Sequence, residues 1–392
     1  MVRVLVPREC APGETRVAAT PETVKRLSAK GCSLLVERGA GLASGYDDDA
    51  YGAAGAELVA SESGGLEHWR QAEVVLAVQG AALVQGRPEL QSLPAGALLL
   101  GLLEPHGNEA LKQQLQSLRL TGLALELLPR ISRAQAMDVL SSQANIAGYK
   151  AVLLAAAALD RYVPMLMTAA GTIQPARALI LGAGVAGLQA LATARRLGAV
   201  VYVSDVRAAA KEQVESLGGR FIEPPQLEQT PGETGGYAQQ ASEAFLAEQR
   251  RQLGEQLALA DMVICTAQVP GRPAPRLIDD AMLQPMRAGS VVVDLAVAQG
   301  GNCEGTRPGE TVWRHGVQLI GADALPCSVA NHASALYARN LAALLEHLLT
   351  GPPAAASAAE PALRLDLDDP IVAGCLFSHH ASPAPVPVGG AA

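Results

Sequence analysis

The sequence predicts an α/β protein made of two Rossmann-like, doubly wound parallel-sheet domains with a cleft between them. Three observations predict it. Short apolar, β-branched runs alternate with helical patterns along most of the chain. A hydrophobic fraction of 49%, with 3% aromatics and 39 glycines, suits small-residue helices lying close on parallel sheets. A length of 392 residues leaves room for two domains, placed at 1–140 plus 331–392 and at 141–330.

Val2 to Val6 reads as a short buried strand. Thr20 opens TPETVKRL, an N-cap followed by proline at the first helical position and an amphipathic turn. Between them lies ETRVAATP, whose Arg16 either clamps a carboxylate or caps a helix at the surface. Ser33 to Glu37 is the next strand, and Glu73 to Gln79 and Gly96 to Leu103 are further apolar runs. This alternation predicts an open, mainly parallel sheet over residues 1 to about 128.

An apolar strand, Leu123 to Leu128, leads into PRISRAQAMDVLSSQANIAGYKAVLLAAAAL, residues 129–159. Its first half carries Arg130, Ser132, Arg133, Gln135, Asp138, Ser141, Ser142, Gln143 and Asn145, and its second half is a long Ala/Leu helix. So many directional donors and acceptors at a strand end mark a place where sites are built. The same residues also fit a helix-capping loop with a solvated face.

Residues 177–207, RALILGAGVAGLQALATARRLGAVVYVSDVR, carry a sharper signal. An apolar strand runs into Gly182, Ala183, Gly184, Val185 and Gly187, a helical pattern follows, and a second β-branched run ends at Asp205, 23 residues after Gly182. This is the context in which G-x-G-x-x-G means a dinucleotide site. Gly182 turns the strand, Gly184 lets a pyrophosphate approach the backbone, and Gly187 lets helix and strand pack closely. Amides at the helix N-terminus then face the phosphates. A carboxylate at Asp205 accepts from ribose hydroxyls and repels a 2′-phosphate, which favours NAD over NADP.

After Arg207 the pattern gives a helix (Ala208 to Leu217), a strand (Arg220 to Ile222) and the aperiodic loop 223–237, either a disordered connection or a functional flap. Helix Ala238 to Leu259, strand Asp261 to Cys265, the turn VPGRPAP, helix Asp279 to Met286 and strands Ser290 to Asp294 and Val317 to Gly321 complete a doubly wound sheet. Helix Asn331 to Leu349 returns to the first domain. Residues 351–361 are a linker, Ala362 to Leu367 a further strand, and SPAPVPVGGAA a disordered tail.

The net charge of −8, with no basic block and no Lys/Arg cluster interleaved with aromatics, excludes nucleic acid as the main partner. Six scattered cysteines without C-x-x-C indicate a reduced, intracellular protein. The N-terminus has no charged region followed by an apolar one, so no signal peptide is expected. The longest membrane-like run, Ala151 to Leu159, falls far short of a span, which takes about 20 residues. No metal is expected: His379 and His380 are adjacent and point to opposite sides on an extended chain. His68, His106, His315 and His347 lack ligand spacing and read as solvated or capping.

Three stretches, PRISRAQAMDVLSSQANIAGYKAV, the GAGVAG and DVR fingerprint, and ALADMVICTAQVPGRPAP followed by VVDLAVAQGGNCE, resemble one family closely. They look like the soluble NAD(H)-binding component of proton-translocating nicotinamide nucleotide transhydrogenases, from ETRVAATPETV to the end of the 331–349 helix. The resemblance implies that Arg130, Gln135 and Asp138 are the catalytic residues, holding the nicotinamide end together with Ile131 and Ser132. It implies that Ser141 contacts the carboxamide and that Asp205, Val206 and Arg207 grip the adenosine ribose. Gly236 and Tyr237 fall on a mobile loop that closes over nucleotide, and Gln249 on the helix behind it. Gln268 stands where the family has an apolar residue against the adenine.

The resemblance further implies NAD(H) on this chain, NADP(H) only on a partner component, and a homodimer. An NADP(H)-binding domain and a membrane-embedded subunit would lie on other chains. The location would be cytoplasmic, peripheral on an inner or thylakoid-type membrane through those partners. The fold is shared with alanine dehydrogenase, whose substrate-carboxylate arginine matches Arg16. That enzyme's catalytic lysine is replaced by Gln79, and its histidine is lost near Glu104. Making an imine from a keto acid needs proton transfers. Hydride transfer between two nicotinamides needs only positioning. An amino-acid dehydrogenase and an NAD-sensing module without chemistry are the alternative readings.

Overall fold

The computed structural model describes residues 1–60, 66–225, 243–269, 271–350 and 362–380. The chain begins with β1 (Val2–Val6), α1 (Pro21–Ser28), β2 (Cys32–Glu37), α2 (Asp48–Ala53), β3 (Glu57–Val59), α3 (Glu67–Gln71) and β4 (Val74–Leu76). It continues with α4 (Gly80–Gly86), β5 (Leu98–Gly101), α5 (Glu109–Ser117), β6 (Thr121–Ala124) and the long α6 (Val139–Ala158). A hairpin, β7 (Leu166–Thr168) and β8 (Gly171–Ile173), precedes β9 (Arg177–Leu181), α7 (Val185–Arg196), β10 (Val200–Ser204), α8 (Ala210–Ser216) and β11 (Arg220–Ile222). Next come α9 (Glu243–Leu257), β12 (Met262–Cys265), α10 (Asp280–Leu283), β13 (Val291–Asp294), β14 (Thr311–Arg314) and β15 (Val317–Gly321). The chain closes with α11 (Ala330–Leu348), β16 (Leu349–Thr350), β17 (Ala362–Leu363), α12 (Pro370–Cys375) and β18 (Leu376–Ser378). It divides into two compact units, Met1–Gln143 with Pro326–Ala392, and Ala144–Leu325, and the division falls within α6.

The first unit holds a seven-stranded sheet in the order β18-β6-β5-β4-β1-β2-β3. All its pairings are parallel except β18 on β6. Alternation along the strands fills two cores. Val4, Val6, Leu34 and Val36 enter one with Tyr337 and Leu341 of α11, while Leu5 and Leu35 enter the other with Trp69 and Leu99. Thr20 closes the N-terminus of α1 through a capping box with Thr23.

The second unit holds a seven-stranded sheet in the order β11-β10-β9-β12-β13-β15-β14, parallel except for β14 on β15. From β9 the chain winds one way, through β10 to β11, and from β12 the other way, through β13. The reversal between β9 and β12 is where such sheets open a crevice at their carboxyl ends.

The expected fold class therefore holds, as two mainly parallel, doubly wound sheets. Several elements differ from expectation. The run Leu123–Leu128 gives β6 only to Ala124 and then a 3-10 turn over Leu125–Leu127. The helix expected to reach Met286 stops at Leu283. The antiparallel edges β14 and β18 and the β7–β8 hairpin had no strong period-2 signal, because edge strands are short and half-exposed. Loop residues 226–237, the helix start at 238–242, the linker 351–361 and most of the tail lie outside the described residues. Among the described residues no helix is long and apolar enough to cross a membrane.

Candidate functional site

In the second unit the three glycines of the turn have three different physical reasons. Gly182 adopts φ +103°, and a Cβ there would meet Thr266 Oγ1 at 2.7 Å. At Gly187 a Cβ would lie 1.8 Å from the Gly182 carbonyl oxygen, so α7 can sit on the turn only without a side chain. Gly184 is different. Its φ of −77° suits any residue, and nothing in the protein lies within 4 Å of where its Cβ would be. The fold does not require this glycine; open space for an approaching ligand does. Gly184 is also the N-cap of α7 and offers no capping side chain, so that helix presents first-turn amides to an anion.

Asp205 follows β10 and reaches back to the same turn. Its Oδ2 accepts the Ala183 amide at 2.7 Å, and its Oδ1 accepts the Arg207 amide at 2.8 Å. Burial pushes the carboxyl up, but the Arg207 guanidinium and these two amides outweigh it and hold it below its ordinary value. Val185, Val206 and Arg207 are exposed.

The loop after β12 forms the far side of the crevice. Thr266 Oγ1 lies 3.0 Å from the Leu181 carbonyl oxygen and 3.1 Å from that of Gly182, tying this loop to the turn. Asn302, fully buried, grips Ala267 at both ends of its peptide unit: Oδ1 accepts its amide at 3.0 Å and Nδ2 donates to its carbonyl at 2.8 Å. Sequence reasoning assigned neither residue. A buried, fully satisfied asparagine resembles any polar residue until its partners are known. Gln268 is exposed and donates from Nε2 to the Leu295 carbonyl at 2.7 Å, so its amide is held by the backbone after β13. Gln249 is half-buried on α9, and Gly236 and Tyr237 lie outside the described residues.

In the first unit, the polar loop forms a 3-10 segment over Ser132–Met137, anchored by Ala134 and Met137, which are buried in the core. Arg130, Ile131, Ser132 and Gln135 are exposed, and the side chains of Arg130 and Gln135 make no hydrogen bond among the described residues. Asp138 is half-buried and committed to capping α6. Its Oδ1 accepts the Ser141 amide at 2.9 Å and its Oδ2 accepts the Ser141 hydroxyl at 2.6 Å. The capping and site readings of this stretch therefore both apply, to different residues.

Arg16 is neither exposed nor free. It is 6% exposed and clamps the chain's own Glu14, with Nε to Oε1 at 2.8 Å and Nη2 to Oε2 at 2.6 Å. Its Nη1 donates to Gln143 at 3.0 Å, and Gln79 donates to Glu14 at 3.2 Å. The histidine expectation needs correction. His68 is buried beside Glu37, and His315 and His347 pair with Asp280 and Asp369 at 2.8 Å, partners that lie far off in sequence. Among the described residues no group of three or more His, Cys, Asp or Glu is placed to hold a metal.

The space left open at Gly184 and the carboxylate beside it are the two ends of an adenine-dinucleotide grip, which places this unit among the dinucleotide-binding Rossmann proteins. Residues 5–147 match the alanine dehydrogenase/PNT N-terminal domain and residues 151–379 the alanine dehydrogenase/PNT C-terminal domain, and the chain belongs to that family. It is 47% identical over 342 residues to the first of the chains that make up NAD(P) transhydrogenase subunit alpha in Rhodospirillum rubrum, covering 87% of this chain and 88% of that one. The crystal structure of transhydrogenase from Sinorhizobium meliloti superposes with a TM-score of 0.83 at 42% identity, covering 96% of this chain and 99% of that one. An L-alanine dehydrogenase structure follows at TM-score 0.71 and 27% identity, covering 88% of this chain and 90% of that one.

Proposed function

We propose that this chain is the NAD(H)-binding subunit of a proton-translocating transhydrogenase. NAD(H) held here would exchange hydride directly with NADP(H) held on a partner component, coupled to proton movement through a membrane-embedded subunit on another chain. The observation that carries the binding half is Gly184, a glycine that only a ligand explains. The similarity to transhydrogenase alpha subunits carries the rest.

When bound, the nicotinamide supplies the hydride chemistry; the chain's own residues bind and orient. The α7 amides would receive the pyrophosphate and Asp205 the adenosine ribose. Arg130, Gln135, Asp138 and Ser141, with Ile131 and Ser132, would position the dihydronicotinamide. The Ser141 hydroxyl proton is committed to Asp138, so Ser141 would act as an acceptor for the carboxamide N–H. Tyr237 and Gly236 would close over the nucleotide.

The arrangement disfavours an amino-acid dehydrogenase. Arg16 is saturated by Glu14 and Gln143, and Gln79, at the position of the dehydrogenase lysine, is an amide that exchanges no proton. We further infer a homodimer, located in the cytoplasm and peripheral to the membrane through partner subunits. The β7–β8 hairpin, with Met165 57%, Met167 71% and Ile173 44% exposed, gives such a dimer an apolar surface to cover.

Mixing the purified chain with the NADP(H)-binding component of a transhydrogenase tests the reading. NADH should be oxidised against an NADP⁺ analogue only when both are present. Oxidation by this chain alone with a keto acid and ammonia, or none in the mixture, would contradict it.

A further inference from the structure

The 3-10 segment Ser132–Met137 carries Gln135 on a backbone with little regular bonding. Around it the structure gives Ala134 N–H to the Ile131 carbonyl at 3.0 Å and a long Asp138 N–H to the Gln135 carbonyl at 3.3 Å. Short 3-10 pieces hold their geometry poorly by themselves. Yet transfer between two positioned rings is sensitive to displacements of about 1 Å. Something outside the segment must therefore set the direction of Gln135, whose own side chain is unbonded.

That something is on α11. Asn340 Nδ2 donates to the Ala136 carbonyl at 2.8 Å, pinning the peptide unit that follows Gln135. A carbonyl only accepts, so the amide orientation of Asn340 is fixed by its partner. Its Oδ1 is buried and has no hydrogen-bond partner among the described residues. A buried unpaired acceptor is costly, so Asn340 is a poor choice for stability alone. It is also a weak helix former at an interior helical position. Seven residues on, His347 donates to or accepts from Asp369 at 2.8 Å, and Asp369 accepts from Arg133 at 3.2 Å. The segment is thus tied to α11 at Ala136 directly and at Arg133 through Asp369.

We propose that Asn340 is a positioning residue for hydride transfer, acting through the Ala136 carbonyl to aim Gln135. It touches no nucleotide itself, and the assignment rests on the transhydrogenase reading above. Asn340→Ala removes the tether and a weak helix former together, so the fold is not expected to lose stability. Asn340→Asp keeps the shape, removes the N–H and turns an acceptor toward the carbonyl.

The test uses the full chain with the NADP(H)-binding component, single-turnover hydride transfer, NADH titration by fluorescence and melting without nucleotide. Transfer should slow by about fivefold or more in Asn340→Ala and further in Asn340→Asp, with NADH affinity within about twofold and the Asn340→Ala melting temperature not lowered. A parental transfer rate in Asn340→Ala would overturn the proposal. So would a rate loss matched by equal losses of NADH affinity or melting temperature, or Asn340→Asp faster than Asn340→Ala. Gln135→Asn, run beside them, separates the two levels. If it slows transfer while Asn340→Ala does not, the tether is wrong and the reading stands; if Gln135→Asn transfers at the parental rate, the reading of this loop fails first.

Discussion

The Asp205 carboxylate lies beneath the Arg207 guanidinium, which donates from Nε to Oδ1 at 3.0 Å and from Nη2 to Oδ2 at 3.1 Å. The acid is 7% exposed and the arginine 62% exposed. A ribose that reaches Asp205 therefore displaces an arginine that can swing outward at little cost. A 2′-phosphate would have to part the pair and then face the bared carboxylate. NADH should bind much more tightly than NADPH, and equal dissociation constants by fluorescence titration would contradict this. Asp205→Ala should weaken NADH and free Arg207 for the phosphate, narrowing the preference by about tenfold or more, some 1.4 kcal/mol.

Gly184 and Gly187 should behave oppositely although they are three residues apart. Gly187→Ala puts a methyl against the Gly182 carbonyl, and unfolding stability should fall by about 3 kcal/mol or more. Gly184→Ala should keep stability within about 1 kcal/mol and weaken NADH by about tenfold. Chemical denaturation and titration of both variants measure the contrast. If Gly184→Ala bound NADH as the parent does, the assignment of open space at that glycine to a nucleotide would be wrong.

Gln135 is exposed and unbonded, so it is free to offer a donor and an acceptor to a second nucleotide. Gln135→Asn should leave NADH affinity nearly intact while hydride transfer falls by about tenfold or more, at least 1.4 kcal/mol in the barrier. Equal loss of binding and transfer would point to a binding role instead.

Stability should carry a pH signature from Glu9. Burial pushes its carboxyl up from the ordinary 4.5 to about 7, although it accepts the Val78 amide at 2.6 Å and the Gln79 amide at 3.1 Å. Between those values the folded chain keeps a proton that the unfolded chain has released, so this group's contribution to stability falls as pH rises through 4.5 to 7. It is flat outside that window. The slope is at most about 1.4 kcal/mol per pH unit. Glu9→Gln should flatten the fall; parallel parent and variant curves between pH 5 and 7 would show that Glu9 is not responsible.

Sedimentation at micromolar concentration should give a species of twice 40.4 kDa. Replacing Met165 and Met167 with glutamate should shift it toward the monomer, because the exposed hairpin would then carry like charges into the interface. A stable parental monomer would count against the dimer.

By itself the sequence determined what depends on local spacing. The glycine turn, the helix after it and Asp205 at the next strand end could be read because backbone conformation and strand period write themselves into neighbouring residues. The buried parallel strands were legible for the same reason: β1, β4, β5, β12 and β13 are short continuous apolar runs. The cap at Thr20 was equally local. Tertiary structure alone decided what depends on partners far off in the chain. It turned Arg16 onto Glu14 and Gln143, put Arg207 over Asp205, gave His347 to Asp369, and set Asn302 and Asn340 against the carbonyls of Ala267 and Ala136. It also separated Gly184 from Gly187, since only the space around a glycine says whether the fold or a ligand requires it. An amide or a guanidinium has no periodicity of its own. Its role is fixed by the donor or acceptor that folding brings within about 3 Å, and that distance is not written in the spacing of the residues.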